Sequence, residues 1–508
     1  MTGYCNANDA YHQTASSPDG TGSFLAMSGA LKKSGLQASD IDYINLHGTG
    51  TQNNDIAEGT AIKRLFDPRY PKMSSTKSFT GHTLGGCGGI EAVFSILAIE
   101  QGIIYPNLRL KTPMKELPFT PETNFIKNMK VQHVLSNSFG FGGNCTSLIF
   151  QNCKLKMYIR ATGNISAQKT FGHPPFLAET IEYAGNRLSC IEPDYKTFID
   201  VKLIRRMSRI IRMGVAAAME CLQEANVKIP DAIVTGTAYG CLEDTGVFLT
   251  KMVEFKEELL TPTAFIQSTH NTIGAQIGLM LQCNNYNNAF VHRGFSFESA
   301  LLDGMLLLKE KEAANVLVGA IDEITNISHA ILSRMGLYKQ GPISNLELFK
   351  SASKGTIAGE GASFFLLATE PSPTDYAKLG GLKTFYKPAG IKEIEAQISS
   401  FLTEHSISFN DIDLIITGKN GDTVSDAIFD ELQESIFSNN NTINYKNLCG
   451  EYPTASAFAL WLGTNIIKTG AVPAALEYTG TKENKIKRVL IYNHYQGIHH
   501  SLFLMSAC

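Results

Sequence analysis

A stretch of eighteen residues, from Ser74 to Glu91, constrains the fold of this chain more than any other segment. It reads SSTKSFTGHTLGGCGGIE and precedes an apolar helix predicted at about residues 92–101. Glycine removes the Cβ barrier to tight turns and lets a ligand approach the backbone closely. The stretch therefore predicts a strand-to-helix loop that holds His82 beside a bound group. The alternative is an ordinary turn with an incidental histidine.

Two further glycine-rich turns occur at the ends of predicted strands. HGTGT (47–51) follows the strand 42–46, and SFGFGGN (138–144) follows the strand 131–137. Ligands bind at the carboxyl ends of strands in open α/β sheets. Asp55, with Glu58 three residues later, predicts a capping box that opens a helix through Phe66. Two histidines and a pair of exposed backbone N–H groups suit acyl chemistry on a thioester, because both can stabilise a developing oxyanion.

The three motifs together resemble the C-terminal half of a β-ketoacyl-acyl carrier protein synthase. They are HGTGT, then TK-x-x-x-GH-x-x-G-x-x-G-x-x-E, then NSFGFGG, in that order over about 150 residues. The resemblance implies that His47 and His82 are the catalytic histidines, which hold and decarboxylate a malonyl thioester. It also implies that Lys77 and Glu91 support them.

The same resemblance assigns roles to four more residues. Phe141 matches the gating phenylalanine whose N–H completes the oxyanion hole, and Phe139 belongs to the same turn. Thr49 and Thr51 match residues that touch the pantetheine arm of the substrate. The family usually has Thr-Asn after its FGFGG motif, whereas this chain has Asn-Cys at 144–145.

The nucleophile of this family is a cysteine in the N-terminal half, and the first segment contains no match for it. Cys5 stands where the family has a glycine, and Cys87 is interpreted as a packing residue, the usual place of a free cysteine. Thiolases share the fold but carry a second reactive cysteine where this chain has Asn137 and Ser138. The synthase interpretation is therefore preferred over a thiolase.

The second segment, residues 157–508, resembles the same family from its beginning, but its catalytic positions are altered. The nucleophile position falls at or beside Phe295, and Glu451 stands where the G-H histidine would be. Phenylalanine has no nucleophilic atom. His494, in the segment that replaces NSFGFGG, is predicted to have a structural or tunnel-lining role, and His270 is predicted to be a satisfied loop histidine. A synthase without its nucleophile resembles the chain-length-factor subunits that pair with active ketosynthases.

The predicted fold class is α/β, a thiolase-like fold with α-β-α-β-α layers, present as one half unit plus one complete degenerate unit. The predicted domains are a C-terminal synthase half at 1–153, an N-terminal-half-like domain without nucleophile at 157–370, and a degenerate C-terminal-half-like domain at 371–508. This order predicts either a natural fusion of two adjacent reading frames or a gene model that lacks its upstream half.

The resemblance implies an acyltransferase of fatty acid or polyketide biosynthesis, which condenses an acyl thioester with malonyl-acyl carrier protein. The alternative is a non-catalytic, chain-length-factor-like partner or carrier-docking module, and a third possibility is a thiolase-like enzyme acting on coenzyme A thioesters. The implied partners are acyl carrier protein and a synthase subunit or missing N-terminal half, with dimer-type packing. No cofactor is implied, because phosphopantetheine arrives on the carrier protein.

Composition excludes several other classes of protein. A formal charge of −3 gives no electrostatic reason to bind nucleic acid or an anionic membrane. The ten cysteines include no C-x-x-C pair, and the histidines include no H-E-x-x-H, which argues against a metal site and against a disulfide framework. No apolar run reaches the length of a membrane span. The sequence therefore predicts a protein of the reducing cytoplasm.

Overall fold

The structure is a computed structural model that describes residues 1–151, 156–172, 175–258, 260, 262–476, 478 and 485–508. The chain divides into two compact units, Met1–Lys154 and Leu155–Cys508, here called the first and second unit. None of the helices in the described ranges has the length and apolar character needed to cross a membrane.

The first unit contains five strands and four helices in its described residues. In chain order they are β1 (Gly3–Asn8), α1 (Thr21–Ser34), β2 (Tyr43–Asn45), α2 (Gln52–Phe66), β3 (Lys72–Ser74), α3 (Lys77–Thr80), α4 (Cys87–Gln101), β4 (His133–Gly140) and β5 (Asn144–Gln151).

The strands of the first unit form one sheet in the order β1-β5-β4-β2-β3. Strands β2, β3 and β4 run parallel, and β5 runs antiparallel to both β4 and β1. One apolar core joins α1 and α2 to the sheet through residues such as Met27, Ile62 and Leu135. A smaller core, which includes Ala98 and Val134, lies where α4 packs on β4. The ends of β2, β3 and β4 thus meet at one edge of the sheet.

The second unit begins with the described elements β6 (Met157–Ile165), β7 (Ala184–Gly185), α5 (Val201–Ile204), α6 (Arg209–Glu224), β8 (Ala232–Gly236), α7 (Leu242–Glu254), α8 (Pro262–Gln267), α9 (Thr272–Leu281), β9 (Tyr286–Phe290), α10 (Ser296–Lys309), β10 (Asn315–Asp322), α11 (Asn326–Arg334), β11 (Ile343–Ser344) and β12 (Gly361–Ala368). It continues with β13 (Ala377–Tyr386), α12 (Ile391–Glu404), β14 (Leu414–Thr417), α13 (Thr423–Glu434), β15 (Thr442–Asn444), α14 (Lys446–Cys449), α15 (Ser456–Thr469), β16 (Arg488–Tyr495) and β17 (His499–Ser506).

Ten of these strands form one sheet in the order β15-β14-β16-β17-β13-β6-β12-β10-β8-β9. The earlier half of this sheet consists of β6, β8, β9, β10 and β12, and the later half consists of β13 to β17. When the five strands of each half are numbered in chain order, they lie across the sheet in the order 1-5-4-2-3, counted from the middle of the sheet outwards. The sheet of the first unit has the same order. Strands β1 to β5 therefore correspond to β13 to β17, the later half of the second unit.

Helices cover the sheet of the second unit in layers. Helices α6 and α9 pack on one side of the earlier half, and α12 and α13 pack on the later half. Helices α10 and α15 share the largest core with strands of both halves. In the outer layer, Gly163 of β6 lies so close to α6 that a Cβ there would be 2.0 Å from the carbonyl oxygen of Ala217.

Two local predictions were wrong. Helix α2 begins at Gln52, so Asp55 lies inside it and Thr51 precedes it without a side-chain cap. Glu58 binds the backbone of another loop instead of forming a capping box. Helix α4 begins at Cys87, five residues before the predicted start, because Gly88 and Gly89 are helical.

Candidate active site

The loop after β2 is held by the carboxylate of Glu58. The backbone N–H groups of His47 and Gly48 donate to its two oxygens at 3.0 and 2.9 Å, and the amide of Asn137 donates at 3.0 Å. Glu58 is buried, and burial raises its pKa. Three donors on one buried carboxylate fix the backbone of His47 independently of the imidazole ring.

Lys77 connects the loops that follow β2 and β3. This lysine is the first residue of α3, is buried, and forms an ion pair with the buried carboxylate of Glu91 in α4. Its Nζ also lies 3.3 Å from Nδ1 of His47. Glu91 accepts further hydrogen bonds from the hydroxyl of Ser138 and the thiol of Cys87, each at 3.3 Å. The buried cation therefore has a carboxylate on one side and an imidazole on the other.

His47 is neutral, and its proton lies on Nε2. Burial, followed by the charges of Lys77 and His82, lowers the pKa of His47 to about 3. An ammonium group only donates hydrogen bonds, so Nδ1 must accept from Lys77 and Nε2 carries the hydrogen. Nε2 of His47 is thus a hydrogen-bond donor at neutral pH.

The ring of His82 stands perpendicular to that of His47. The two ring centroids are 5.6 Å apart, with an interplanar angle of 86°. Nδ1 of His82 accepts the backbone N–H of Leu84 at 3.2 Å, so the hydrogen of a neutral His82 also lies on Nε2. Unlike His47, His82 lies in an exposed loop, residues 81–86. The structure therefore brings two Nε2–H donors to one edge of the sheet.

The other predicted site residues lie around this pair. Phe139 is buried, and its ring centroid is 5.7 Å from that of His47. Phe141 is exposed in the following turn, where Gly142 has φ of 77°. The hydroxyls of Thr49 and Thr51 lie 2.9 Å apart in the loop after His47. All eight predicted side chains thus lie at one edge of the sheet, Phe139 at the end of β4 and the others in the loops and helices that follow β2, β3 and β4.

The second unit repeats this backbone with different side chains. Asp426 accepts hydrogen bonds from the N–H groups of Asn420 and Gly421 at 2.8 Å, as Glu58 does from His47 and Gly48. Asn420 therefore occupies the position of His47. Sequence reasoning missed this correspondence because asparagine carries no motif, and the shared carboxylate-to-loop contact is the signal that reveals it.

Glu451 occupies the position of His82. Helix α14 is four residues long, like α3, and each is followed by a glycine with positive φ, 75° at Gly450 and 72° at Gly81. Nζ of Lys446, which corresponds to Lys77, lies 2.6 Å from the Glu451 carboxylate. The amide of Asn420 donates to the same oxygen at 2.7 Å. Two imidazole donors have thus been replaced by an amide and a carboxylate that bind each other.

The predicted nucleophile position of the second unit is filled by a ring. Phe295 is buried in a short turn, Arg293–Phe295, between β9 and α10. It stacks on His292 with centroids 5.6 Å apart and meets the ring of His499 edge-on at 4.8 Å.

A cavity of about 80 Å³ lies beside Glu451, far smaller than the several hundred Å³ of a typical ligand pocket.

Two further histidines named above, His494 and His270, lie in the second unit. Nε2 of His494 donates to the carbonyl of Ser425 at 3.2 Å, and its Nδ1 accepts the N–H of Gly497 at 3.2 Å. His270 is exposed and packs beside Gly240. Across the described ranges, no group of three or more His, Cys, Asp and Glu side chains is arranged to hold a metal ion.

Family comparisons match the two units separately. Residues 1–111 match the model of the β-ketoacyl synthase C-terminal domain, and residues 192–336 match that of the β-ketoacyl synthase N-terminal domain. The chain is 41% identical over 153 residues to 3-oxoacyl-[acyl-carrier-protein] synthase 2 of Staphylococcus aureus and 46% identical to that of Synechocystis sp.. The matches include 30% of this chain, and the chain spans only 38% and 37% of the length of these relatives.

Solved structures with the same fold are more distant in sequence. The ishigamide ketosynthase/chain length factor is 16% identical with a TM-score of 0.60, covering 70% of this chain and all of that one. The PfaC keto synthase-chain length factor is 15% identical with a TM-score of 0.51, covering all of this chain and 62% of that one. The predicted thiolase-like α/β fold, with one half unit and one complete unit, is confirmed. The chain belongs to the β-ketoacyl synthase family.

Proposed function

We propose that the first unit supplies the two-histidine half of a decarboxylative condensing site. The observation that carries this proposal is the contact of Lys77, itself paired with Glu91, with Nδ1 of the buried His47, which leaves Nε2 of His47 as a donor beside His82. The substrate is malonyl-acyl carrier protein, and the product is a 3-oxoacyl-acyl carrier protein. Phosphopantetheine arrives on that substrate, so no resident cofactor takes part.

The chemistry requires two donors at the malonyl thioester. The bond between the malonyl α-carbon and its carboxylate breaks, carbon dioxide leaves, and the electron pair is delocalised onto the thioester oxygen. Nε2–H groups of His47 and His82 stabilise that enolate. The α-carbon then attacks an acyl thioester on a cysteine, and the cysteine thiolate leaves. The cysteine comes from an N-terminal-type synthase half.

Supporting roles follow from the contacts around the pair. Lys77 and Glu91 position His47 and fix its tautomer. Thr49 and Thr51 lie beside it, where their hydroxyls hydrogen bond the pantetheine arm. Phe141 lies in the turn that supplies an oxyanion donor and gates the site, and Phe139 precedes this turn at the end of β4.

We propose a non-catalytic, chain-length-factor-like role for the second unit. Phe295 removes the nucleophile, and Asn420 and Glu451 remove both imidazole donors while keeping the loops in place. The ishigamide ketosynthase/chain length factor shares the fold of this chain over 70% of its length. A chain-length-factor-like role accounts for a unit that keeps the backbone of the site but lacks its nucleophile and both histidines.

The full chain tests both proposals in an assay of carbon dioxide release and condensation with malonyl-acyl carrier protein. His47→Ala and His82→Ala are expected to lower carbon dioxide release by about 100-fold or more, the usual contribution of such groups. His12→Ala, an exposed histidine in the same unit, is the matched control and should have no effect. Glu451→Gln should also have none, because the second unit does not react.

Three outcomes would contradict these assignments. Equal carbon dioxide release by His47→Ala would remove the catalytic role of that residue. Robust condensation by the chain alone would show that it holds a nucleophile, against the proposed supply of the cysteine by another half. A requirement for coenzyme A thioesters instead of carrier-bound ones would favour a thiolase-like reaction.

A further inference from the structure

The cavity beside Glu451 in the second unit, here called the acidic cavity, is lined by negatively charged side chains. Its wall includes the carboxylates of Asp322, Glu323, Asp422 and Glu451. None of the described residues that line it is a lysine, an arginine or a histidine. The corresponding loops of the first unit carry the imidazoles of His47 and His82 instead. The second unit therefore presents hydrogen-bond acceptors where the first unit presents donors.

The charges of the buried carboxylates are only partly balanced. Lys446 pairs with Glu451 at 2.6 Å. Asp322 accepts three hydrogen bonds, all from uncharged groups, and Glu323 accepts the backbone N–H of Glu243 at 3.1 Å. Burial raises the pKa of Asp322 to about 6 and that of Glu323 to about 7, because it penalises the charged form of a carboxylate. A cation bound in the cavity would offset this penalty.

The arginine whose charge acts on Glu323 is already engaged elsewhere. Arg209 forms ion pairs with Glu192 at 2.5 Å and with Glu360 at 2.6 Å. Its guanidinium also donates a second hydrogen bond to Glu360, at 2.8 Å. Arg209 is therefore committed to two other carboxylates, and Glu323 is left without a cation of its own.

Three polar atoms of the cavity wall have no hydrogen-bond partner among the described residues. They are Oε2 of Glu323, Oε1 of Glu451 and the hydroxyl oxygen of Tyr338. These residues are only 5%, 8% and 7% exposed, respectively. Buried polar groups are normally hydrogen bonded, so these atoms are suited to a ligand that supplies several donors.

The acidic cavity has room for a small group and a wider space beside it. About 10 to 15 Å³ is needed for each water molecule, so about 80 Å³ admits roughly five water-sized groups. A cleft of about 720 Å³ shares Leu242, Glu323 and Ile324 with the cavity. Val247 and Ile327 also line this cleft and are exposed. A ligand can thus place a charged group in the cavity and an alkyl chain in the cleft.

The chemistry of the wall selects an organic cation over a metal ion. In the described ranges, no three acidic, histidine or cysteine side chains are arranged to hold a metal. A primary ammonium group has one compact charge and three N–H donors. We propose that the acidic cavity binds the ammonium group of a short-chain primary alkylamine, whose chain lies in the adjoining cleft. Glu323, Glu451 and Tyr338 accept its hydrogen bonds. This site lies outside the two-histidine chemistry proposed above and does not depend on it.

Calorimetric titration of the full chain with propylammonium chloride at pH 8 tests this proposal. Saturable binding is expected, whereas 1-propanol, an uncharged molecule of the same shape, should not bind. Glu323→Gln should weaken binding by about 10-fold to 100-fold, the usual contribution of a hydrogen bond to a charged group. Tyr338→Phe removes a single hydroxyl acceptor and should weaken binding by about 5-fold.

Glu298→Gln is the matched control, because it removes a buried carboxylate of the second unit that does not line the acidic cavity. Its affinity should equal that of wild type, and urea unfolding checks that every variant is folded. Absence of binding by wild type would overturn the proposal, as would equal affinities of Glu323→Gln and wild type. If Glu323→Gln does not fold, an unchanged affinity of Tyr338→Phe would overturn it.

Two further ligands test the chemical class. Equal binding of 1-propanol would show that the charge is not recognised. Equal binding of tetramethylammonium, which has no N–H donor, would show a general attraction for cations. Either result would overturn the assignment to a primary amine.

Discussion

Replacing Lys77 by methionine tests the electrostatic account of the site. Nζ lies 3.3 Å from Nδ1 of His47, so at an effective dielectric constant of about 20 its charge opposes protonation of His47 by about 5 kcal/mol, or roughly 4 pKa units. That value is a ceiling. The pKa of His47 falls from 6.5 to about 3, and burial, the largest cause, persists in the variant. We therefore expect Lys77→Met to raise the pKa of His47 by about 1.5 to 2 units, to near 5.

The same substitution leaves the Glu91 carboxylate buried without its cation. Breaking a buried ion pair by removing one partner costs about 3 to 5 kcal/mol, so the free energy of unfolding of the first unit should fall by that amount. The unpaired carboxylate also favours protonated His47, in the same direction as the loss of the ammonium group. Both effects raise the pKa of His47.

The assay is an NMR titration of histidine ring signals between pH 4.5 and 8, with His47 assigned by its loss in His47→Gln. In wild type the His47 signal should not move over this range. Lys446→Met is the matched control, because it breaks the corresponding pair in the second unit and leaves His47 untouched. If the His47 signal is as insensitive to pH in Lys77→Met as in wild type, the electrostatic reasoning is refuted.

Three further predictions concern stability, measured by urea unfolding. The pKa of His47 in the folded state lies below its unfolded value, so the contribution of His47 to the free energy of unfolding is full above pH 6.5 and is lost as pH falls. Between pH 7 and pH 4, the free energy of unfolding of wild type should therefore fall by about 3 kcal/mol more than that of His47→Gln. Equal losses in the two proteins would contradict this prediction. Burial raises the pKa of Glu298 to about 7, so Glu298→Gln should stabilise the second unit by about 3 kcal/mol at pH 8 and by nothing at pH 4. No gain at pH 8 would refute this prediction. Gly163→Ala should destabilise the second unit by about 2 kcal/mol or more through its clash with Ala217, whereas Gly341→Ala, with open space, is the control and should not.

The glycine-rich turns at strand ends could be recognised in the sequence because the backbone conformation of a turn depends on a few consecutive residues. The order of the motifs was enough to predict that His47, His82 and Lys77 lie at one edge of the sheet, and in the structure these three side chains lie together. Their catalytic roles remain predictions. Local signals work here because a turn with positive φ, as at Gly81, admits few residue types.

Interactions across the fold were not predictable in this way. Asp55 and Glu58 have the spacing of a capping box, but the Glu58 side chain reaches a loop 11 residues earlier in the chain. The start of α4 was misplaced because Gly88 weakens helix propensity. A Cβ at Gly88 would lie 3.0 Å from the Ser138 hydroxyl, so the glycine permits a close contact between α4 and β4. Tertiary packing decided both cases.

The carboxylates of Glu58 and Asp426 have a consequence for how these units diverge. Each holds its loop through backbone N–H groups, which every residue type except proline provides. The side chain at position 47 or 420 therefore contributes nothing to this anchor, and histidine or asparagine can stand there on the same backbone. Two side-chain replacements can therefore remove both imidazole donors of such a site without loss of the hydrogen bonds that hold its loop. The reverse replacements would restore the donors on the same loop backbone.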